Sequence, residues 1–299
     1  MKNYWYKIKL SRLLGIALLT SLICLQLLQS RISQARNVPT WAASTSKFTP
    51  PPTPPDRKTS GTRGNSATKF IPPQPPPDRG TTGTRGNSAS RGCDANGQTL
   101  MALVPAYEPK VGLTQVWGLT YAERPNLLFF VPYQNTVIAN MEFVLQKQIN
   151  NKSQTIYRTS LTSISPGIIN VSLPETLAPL EPETMYHWFL KVRVKCNLEG
   201  TSQISSNQLD YVEGWIQRAK NNPTLTELIQ QAKPQQKPTI YAEQGIWYDA
   251  IATLAQLRLA NPQDTTLMAT WTSLLNSVGL ESLAKQPLTE CCKANNVLN

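Results

Sequence analysis

Histidine is almost missing: His187 is the single one in 299 residues. That scarcity excludes H-E-x-x-H metalloproteases and every multi-histidine metal centre. Five cysteines occur, at 24, 93, 196, 291 and 292, and none forms the C-x-x-C pair of a zinc site. No G-x-S-x-G, Walker A or G-x-G-x-x-G motif is present, and the glycines at 80–86 lie in a polar stretch rather than between a strand and a helix. Close carboxylate pairs are scarce too. Glu181 and Glu183 fall in a turn. Glu213, near Trp215, is a sugar-directed candidate, but Asp210 is expected on the opposite face or at a strand end. His187 shares its strand face with Lys and Arg, so an exposed side chain without a catalytic role is expected. These absences leave no catalytic residue, metal ligand or cofactor site to name.

Acids are missing from residues 1–35, which hold five Lys/Arg, and residues 36–92 hold nine Lys/Arg against Asp56 and Asp78. The formal charge of +11 therefore belongs to the first 92 residues, because 93–299 carries fifteen bases against sixteen acids. A near-neutral folded region does not attract a phosphate backbone, which excludes nucleic acid as its partner. Lys2, Lys7, Lys9 and Arg12 precede an uncharged run, Leu13 to Leu28, and Ser33-Gln34-Ala35 offers small residues for cleavage. This is a signal-peptide pattern over 1–35, and it predicts export to the periplasm or cell envelope. The alternative is an uncleaved N-terminal anchor, with Tyr4-Trp5-Tyr6 at the interface.

Residues 36–92 read as a disordered Pro-rich linker containing a 22-residue repeat. Phe48 through Ala67 reads FTPPPTPPDRKTSGTRGNSA, and Phe70 through Ala89 reads FIPPQPPPDRGTTGTRGNSA. The proline blocks favour extended polyproline II, and the tails lack the apolar residues that would order them. Two readings stand: a flexible spacer, or a docking motif for an aromatic-lined groove or an anionic envelope polymer or lipid.

The remainder predicts an α+β fold, with a β-sandwich over 93–220 and a small helical subdomain over 221–299. Strands are expected at Leu100–Val104, Leu127–Val131, Met141–Lys147, Thr155–Thr159, Ile168–Leu173, Met185–Cys196 and Leu209–Arg218. Between 186 and 196, Tyr186, Trp188, Leu190, Val192, Val194 and Cys196 alternate with His187, Phe189, Lys191, Arg193 and Lys195, the period of a half-buried antiparallel strand. Just before it, Leu180-Glu-Pro-Glu-Thr-Met-Tyr186 resembles the E–F corner of fibronectin type III and immunoglobulin-like domains. That resemblance implies an antiparallel immunoglobulin-like sandwich and a Tyr186 hydroxyl tied to the backbone. Residues 105–125, with three prolines and two glycines, are expected to form an elaborated loop. Its Tyr107, Trp117 and Tyr121 are candidate partner contacts, or fold back as core.

After Arg218 the period becomes helical. Pro223 to Ala232 predicts one helix. In the stretch from Thr239 to Pro262, the residues Tyr241, Gly245, Ala250, Leu254, Leu257 and Pro262 resemble a single tetratricopeptide unit. A lone unit cannot bury its own face. A helix capped at Asp264 or Thr265, with Trp271, Leu274, Leu275 and Val278 as its stripe and Gly279 as its end, is expected to cover it. Tyr241, Trp247 and Tyr248 are then either peptide contacts or packing against the sandwich. On export Cys93, Cys196, Cys291 and Cys292 are disulfide candidates. Strain in a ring between adjacent cysteines favours Cys93 and Cys196 each pairing with one of the C-terminal two, and Cys93–Cys196 with the C-terminal pair free is the alternative.

Several segments together resemble a cyanobacterial family known as domain of unknown function 928. They are the Cys93 start, Met101-Ala-Leu-Val-Pro105, Glu142-Phe-Val-Leu-Gln146, Tyr186-His-Trp188, Val212-Glu-Gly-Trp-Ile-Gln-Arg218, Tyr241 through Ala250, Ser277-Val-Gly-Leu280 and Cys291-Cys292. The resemblance covers about 93–292 and implies an exported envelope protein of photosynthetic bacteria, with no catalytic residue to carry over. The expected function is a non-catalytic module that binds or scaffolds an envelope protein or peptide. The alternatives are a carbohydrate-active or hydrolytic envelope enzyme with its site in 105–125, and a ligand or stress sensor acting with a membrane partner.

Overall fold

The computed structural model describes residues 68–73, 83–86, 97–110, 113–149, 152–162, 165–197 and 204–289. The segment expected to be a signal peptide, most of the stretch expected to be a linker, and Cys93, Cys291 and Cys292 lie outside the described residues, as does the side chain of Cys196. The fold is α+β and mostly β. Nine strands come first: β1 (Met101–Ala102), β2 (Ala106–Lys110), β3 (Leu113–Thr120), β4 (Asn126–Val131), β5 (Ile138–Ile149), β6 (Lys152–Ser160), β7 (Gly167–Ser172), β8 (Met185–Asn197) and β9 (Ile204–Arg218). They form a three-stranded sheet, β1-β4-β7, and a six-stranded sheet, β2-β3-β9-β8-β5-β6. Among the described residues four α-helices follow: α1 (Pro223–Gln231), α2 (Lys237–Glu243), α3 (Trp247–Ala260) and α4 (Thr265–Asn276).

The alternation in β8 decides its facing. Trp188, Leu190, Val192 and Val194 are buried, whereas Arg193 and Lys195 are exposed. β8 is central in the long sheet, between β5 and β9. Gly214 of β9 sits opposite Trp188, and a Cβ there would come within 2.5 Å of the Trp188 ring and 2.7 Å of Val116. The Tyr186 hydroxyl accepts the Glu181 N–H at 2.8 Å, closing the turn that leads into β8.

Residues 105–125 differ from the expected loop. They contain a hairpin, β2–β3, whose second strand pairs with β9 in parallel, with Trp117 opposite Trp215. All other pairs in the two sheets are antiparallel. Pro105 precedes β2 and Pro125 precedes β4, while Pro109 lies inside β2, where the pairing with β3 shifts register between Tyr107 and Lys110. Gly118 serves packing. A Cβ at 118 would lie 3.1 Å from the Tyr248 ring and 3.3 Å from Trp247, so its absence lets α3 lie on β3.

Helix α3 is buried on most of its circumference, through Trp247, Tyr248, Ala250, Ile251, Ala252, Leu254 and Ala255. It packs against β3 and β4 on one side and against α2 and α4 on the other. Its residues and those of both sheets belong to one apolar cluster. Helix starts follow capping chemistry. The Asn222 side chain accepts N–H groups from Thr224 and Leu225 ahead of Pro223, and Asp264 accepts from Thr266 and Leu267. Gly245 (φ +72°) turns the chain between α2 and α3 in the left-handed region that glycine tolerates best. Among the described residues no helix is long and apolar enough to cross a membrane.

Candidate functional site

The helical layer presents a groove of about 910 Å3 between α1, α2 and α4. Its described lining is neutral: the amides of Gln231, Gln235 and Gln236, several Thr and Ser hydroxyls, and the apolar Leu228 and Ile240. No carboxylate, histidine, lysine or cysteine lines it, so the groove brings no acid or base of its own. Such a surface suits an uncharged, extended chain with peptide groups to satisfy.

One rim of the groove is Thr68, where a piece of the Pro-rich repeat lies on the helices. Thr68 Oγ1 is 3.0 Å from Thr239 Oγ1, and its carbonyl accepts the Ser273 hydroxyl at 2.8 Å. The Phe70 N–H donates to Ser277 Oγ at 3.4 Å, and the Ile71 N–H donates to the Ala242 carbonyl at 3.0 Å. Pro72 and Pro73 have no N–H to place. The Phe70 ring is 3% exposed and meets Trp247 edge-on, with centroids 5.0 Å apart. Gly245 has a second role here: a Cβ on it would lie 3.0 Å from both the Ile71 carbonyl and the Pro73 ring.

From Gly83 to Gly86 the same repeat touches down again. Thr84 forms an antiparallel bridge with Glu213 of β9, through N–H···O distances of 3.1 and 2.9 Å. Arg85 donates to the carbonyls of Val278 at 2.7 Å and Gly279 at 3.3 Å, just past the C-terminus of α4. Cations are favoured there by the helix dipole and the unpaired carbonyls. Burial lowers the Arg85 pKa, and Glu281 opposes that shift.

The aromatic residues expected as contacts divide by burial. Trp117 is 1% exposed, and Trp247 and Tyr248 are fully buried, so these three pack inside instead of presenting a surface. Trp247 and Tyr248 also make buried hydrogen bonds. Trp247 Nε1 donates to the Leu103 carbonyl at 2.7 Å. Trp188 Nε1 donates to Tyr248 Oη at 2.8 Å, which in turn donates to the Trp215 carbonyl at 3.0 Å. Tyr107, Tyr121 and Tyr241 are half-buried. Asp249 accepts from Thr120 Oγ1 (2.7 Å), the Tyr121 N–H (2.9 Å) and the Ala122 N–H (3.1 Å), which ties the first turn of α3 to the end of β3.

His187 differs from its expected exposure. Its side chain is 14% exposed, stacked on Trp215 at 4.1 Å and 8°, with Phe189 also at 4.1 Å. Nε2 is 3.0 Å from Glu213 Oε2, yet the geometry is not that of a hydrogen bond. Alternation along one strand cannot reveal Trp215, which comes from β9. Burial pushes the His187 pKa down to about 4, below the ordinary 6.5. The unfolded chain therefore binds the proton first, and stability falls as pH drops from about 6.5 towards 4. Relative to His187→Gln, the wild type is expected to lose up to ~2 kcal/mol over that interval, after allowance for partial solvent contact. Urea midpoints of both proteins at pH 7 and 4.5 measure this, and parallel profiles would contradict it. Asp210 and Glu213 do not converge, since Asp210 accepts the Tyr133 hydroxyl at 2.6 Å in the interior. Among the described residues no group of three or more His, Cys, Asp or Glu side chains is placed to hold a metal ion.

Thr68, Arg85 and Ser273 carry no signal of their own in the sequence, and Phe70 and Ser277 stand out only as parts of the repeat and of a family-like segment. The available signal was the repeat itself, which keeps one phenylalanine and one Gly-Thr-Arg-Gly in each copy. Residues 81–288 match the model of a family described as Domain of Unknown Function (DUF928). No curated protein matches the chain.

Proposed function

This chain belongs to the family Domain of Unknown Function (DUF928), whose description assigns no activity, and from that premise we propose a non-catalytic, peptide-holding module exported to the cell envelope. The observation that carries the reading is the seating of residues 68–73. An extended Pro-containing segment lies along the helices, its backbone groups are met by Ser273, Ser277 and Ala242, and one aromatic ring sits in the core. Extended peptides are recognised in this way, with main-chain hydrogen bonds for affinity and a side-chain pocket for specificity. The neutral groove beyond Thr68 offers amides and hydroxyls to a longer chain of the same kind. The partner is thus an extended, proline-containing segment of an envelope protein. Export rests on the basic and then apolar first thirty-five residues.

The scaffold in this reading is an immunoglobulin-like sandwich with a helical cap. Support comes from the strand orders β1-β4-β7 and β2-β3-β9-β8-β5-β6, from the parallel pair β3/β9, and from the Tyr186 hydroxyl bonded to the Glu181 N–H. In the tetratricopeptide-like pair α2–α3, α3 gives its apolar face to β3 and β4, and α2 joins α1 and α4 in lining the groove kept for the ligand.

The test uses the full chain with Phe48→Ala and Phe70→Ala together, so that neither repeat copy fills the seat. The peptide Thr-Lys-Phe-Ile-Pro-Pro is titrated onto it by calorimetry. Saturable binding is expected, weakened at least about tenfold when Ser273→Ala and Ser277→Ala are added, since two hydrogen bonds are lost. A flat titration would reject the reading.

A further inference from the structure

Residues 46–67 and 68–89 are two copies of one 22-residue unit. In the second copy, two blocks touch the folded region: Thr68–Pro73 and Gly83–Gly86. The matching blocks of the first copy read Ser46-Lys-Phe-Thr-Pro-Pro51 and Gly61-Thr-Arg-Gly64. Each docking group is therefore present twice. Ser46 offers the hydroxyl of Thr68, Phe48 the buried ring, Pro50 and Pro51 the proline pair, Thr62 the bridging residue and Arg63 the guanidinium. Ring and guanidinium stand fifteen residues apart in both copies.

The positions where the copies differ follow the contacts. Within the blocks the differences are Ser46 for Thr68, which keeps the hydroxyl, and Thr49 for Ile71, whose side chain is 54% exposed. The other four differences, at 52, 53, 58 and 60 against 74, 75, 80 and 82, all fall between the blocks. The reach of a flexible spacer depends on its composition and length, which do not require two anchors at a fixed separation. A ligand does require them.

We propose that the surface holding 68–86 is a receptor for the repeat unit, and that the first copy of the same chain is its second ligand, taking the seat when the second copy leaves it. This rests on the peptide-holding reading above. Exchange within one chain is favoured over seating on another molecule because a short linker holds the first copy at an effective concentration of order millimolar. The resting occupant follows from loop length. With the second copy seated, residues 86–100 lead from Arg85 to β1; with the first, residues 64–100 do so from Arg63. The longer closure is about fourfold less probable by the three-halves power of length, so the first copy holds the seat roughly a fifth of the time. Each exchange moves the docking point 22 residues along the chain and alters the reach of the segment ahead of it by at most about 70 Å.

Hydrogen exchange on the full-length chain tests this, because the Phe70 and Ile71 amides are bonded to the surface only when their copy is seated. In wild type, 68–73 is expected to be protected and 46–51 to exchange about as an unfolded chain does. In Phe70→Ala, protection is expected to leave 68–73 and appear at 46–51, and adding Phe48→Ala should abolish it at both. Arg85→Ala, with and without Arg63→Ala, repeats the test at a group whose loss spares the core. If 46–51 stays unprotected in both Phe70→Ala and Arg85→Ala while wild-type 68–73 is protected, the exchange is refuted and the peptide-holding reading survives. If wild-type 68–73 is itself unprotected, both fall. If protection at 46–51 appears only as protein concentration rises, together with a dimer in sedimentation, the ligand comes from a second molecule and the single-chain proposal is overturned.

Discussion

Trp247→Ala is expected to lower the unfolding free energy by about 5 kcal/mol, the largest effect of any single substitution considered for this chain. Truncating a fully buried tryptophan to alanine costs ~3–5 kcal/mol through lost transfer energy and the cavity left behind. The site has little freedom to collapse, because the ring lies in the apolar cluster shared by helix and sheets and its Cβ closes against Gly118. A further ~1–2 kcal/mol comes from the buried Leu103 carbonyl, which loses the indole N–H donor at 2.7 Å. Trp247→Phe separates the two contributions: it keeps most of the ring volume, loses the donor, and is expected to cost about 2–3 kcal/mol. Urea denaturation at pH 7 measures both. A loss below ~2 kcal/mol for the alanine variant would mean that the helix does not depend on this ring. Because Phe70 packs edge-on against the same indole, Trp247→Ala should also expose 68–73 to hydrogen exchange.

The legibility of these features in the sequence depended on whether their causes were local. The facing of β8 was legible because every second residue from Tyr186 to Val194 is large and apolar, and one strand contains that whole pattern. The caps at Asn222 and Asp264 and the turn at Gly245 follow from residue chemistry within four positions. The hairpin at 106–120 was not legible. Its strands are short, its prolines imitate a loop, and what stabilises β3 is a parallel partner, β9, almost a hundred residues away. Gly118 reads as a breaker until α3 is seen lying against it. His187 fails for a related reason, since its own strand places it with Lys191 and Arg193 and only β9 supplies the covering Trp215. The seat for the repeat was the hardest to anticipate. One phenylalanine and one Gly-Thr-Arg-Gly per 22 residues are too sparse for any periodicity, and the surface that receives them is assembled from α2, α3, the end of α4 and β9.

Asp249→Ala is expected to cost about 3 kcal/mol, for reasons opposite to those at Trp247. Nothing large is removed. Instead, three donors converge on one carboxylate: the Thr120 hydroxyl and the Tyr121 and Ala122 amides. Without it the Tyr121 N–H has no acceptor in the site, and a buried unmet donor costs ~1–3 kcal/mol, whereas Ala122 keeps the Thr120 hydroxyl at 3.1 Å. Asp249→Asn retains one acceptor oxygen but turns an amide donor towards another donor, so an intermediate loss of about 2 kcal/mol is expected. Burial raises the Asp249 pKa above the ordinary 3.8, against the pull of the three hydrogen bonds. The folded state then holds the proton more tightly than the unfolded state, so the advantage of wild type over Asp249→Ala is greatest below about pH 4 and narrows as pH rises through the folded value. This slope is opposite in sign to that of His187, so the two substitutions should tilt the stability profile in opposite directions. Measuring wild type, Asp249→Ala and His187→Gln between pH 4 and 7 separates them. If the Asp249→Ala gap instead widens as pH rises, the hydrogen bonds outweigh desolvation at this carboxylate. In that case the junction between β3 and α3 gains its strength from a charged group that three dipoles hold in place.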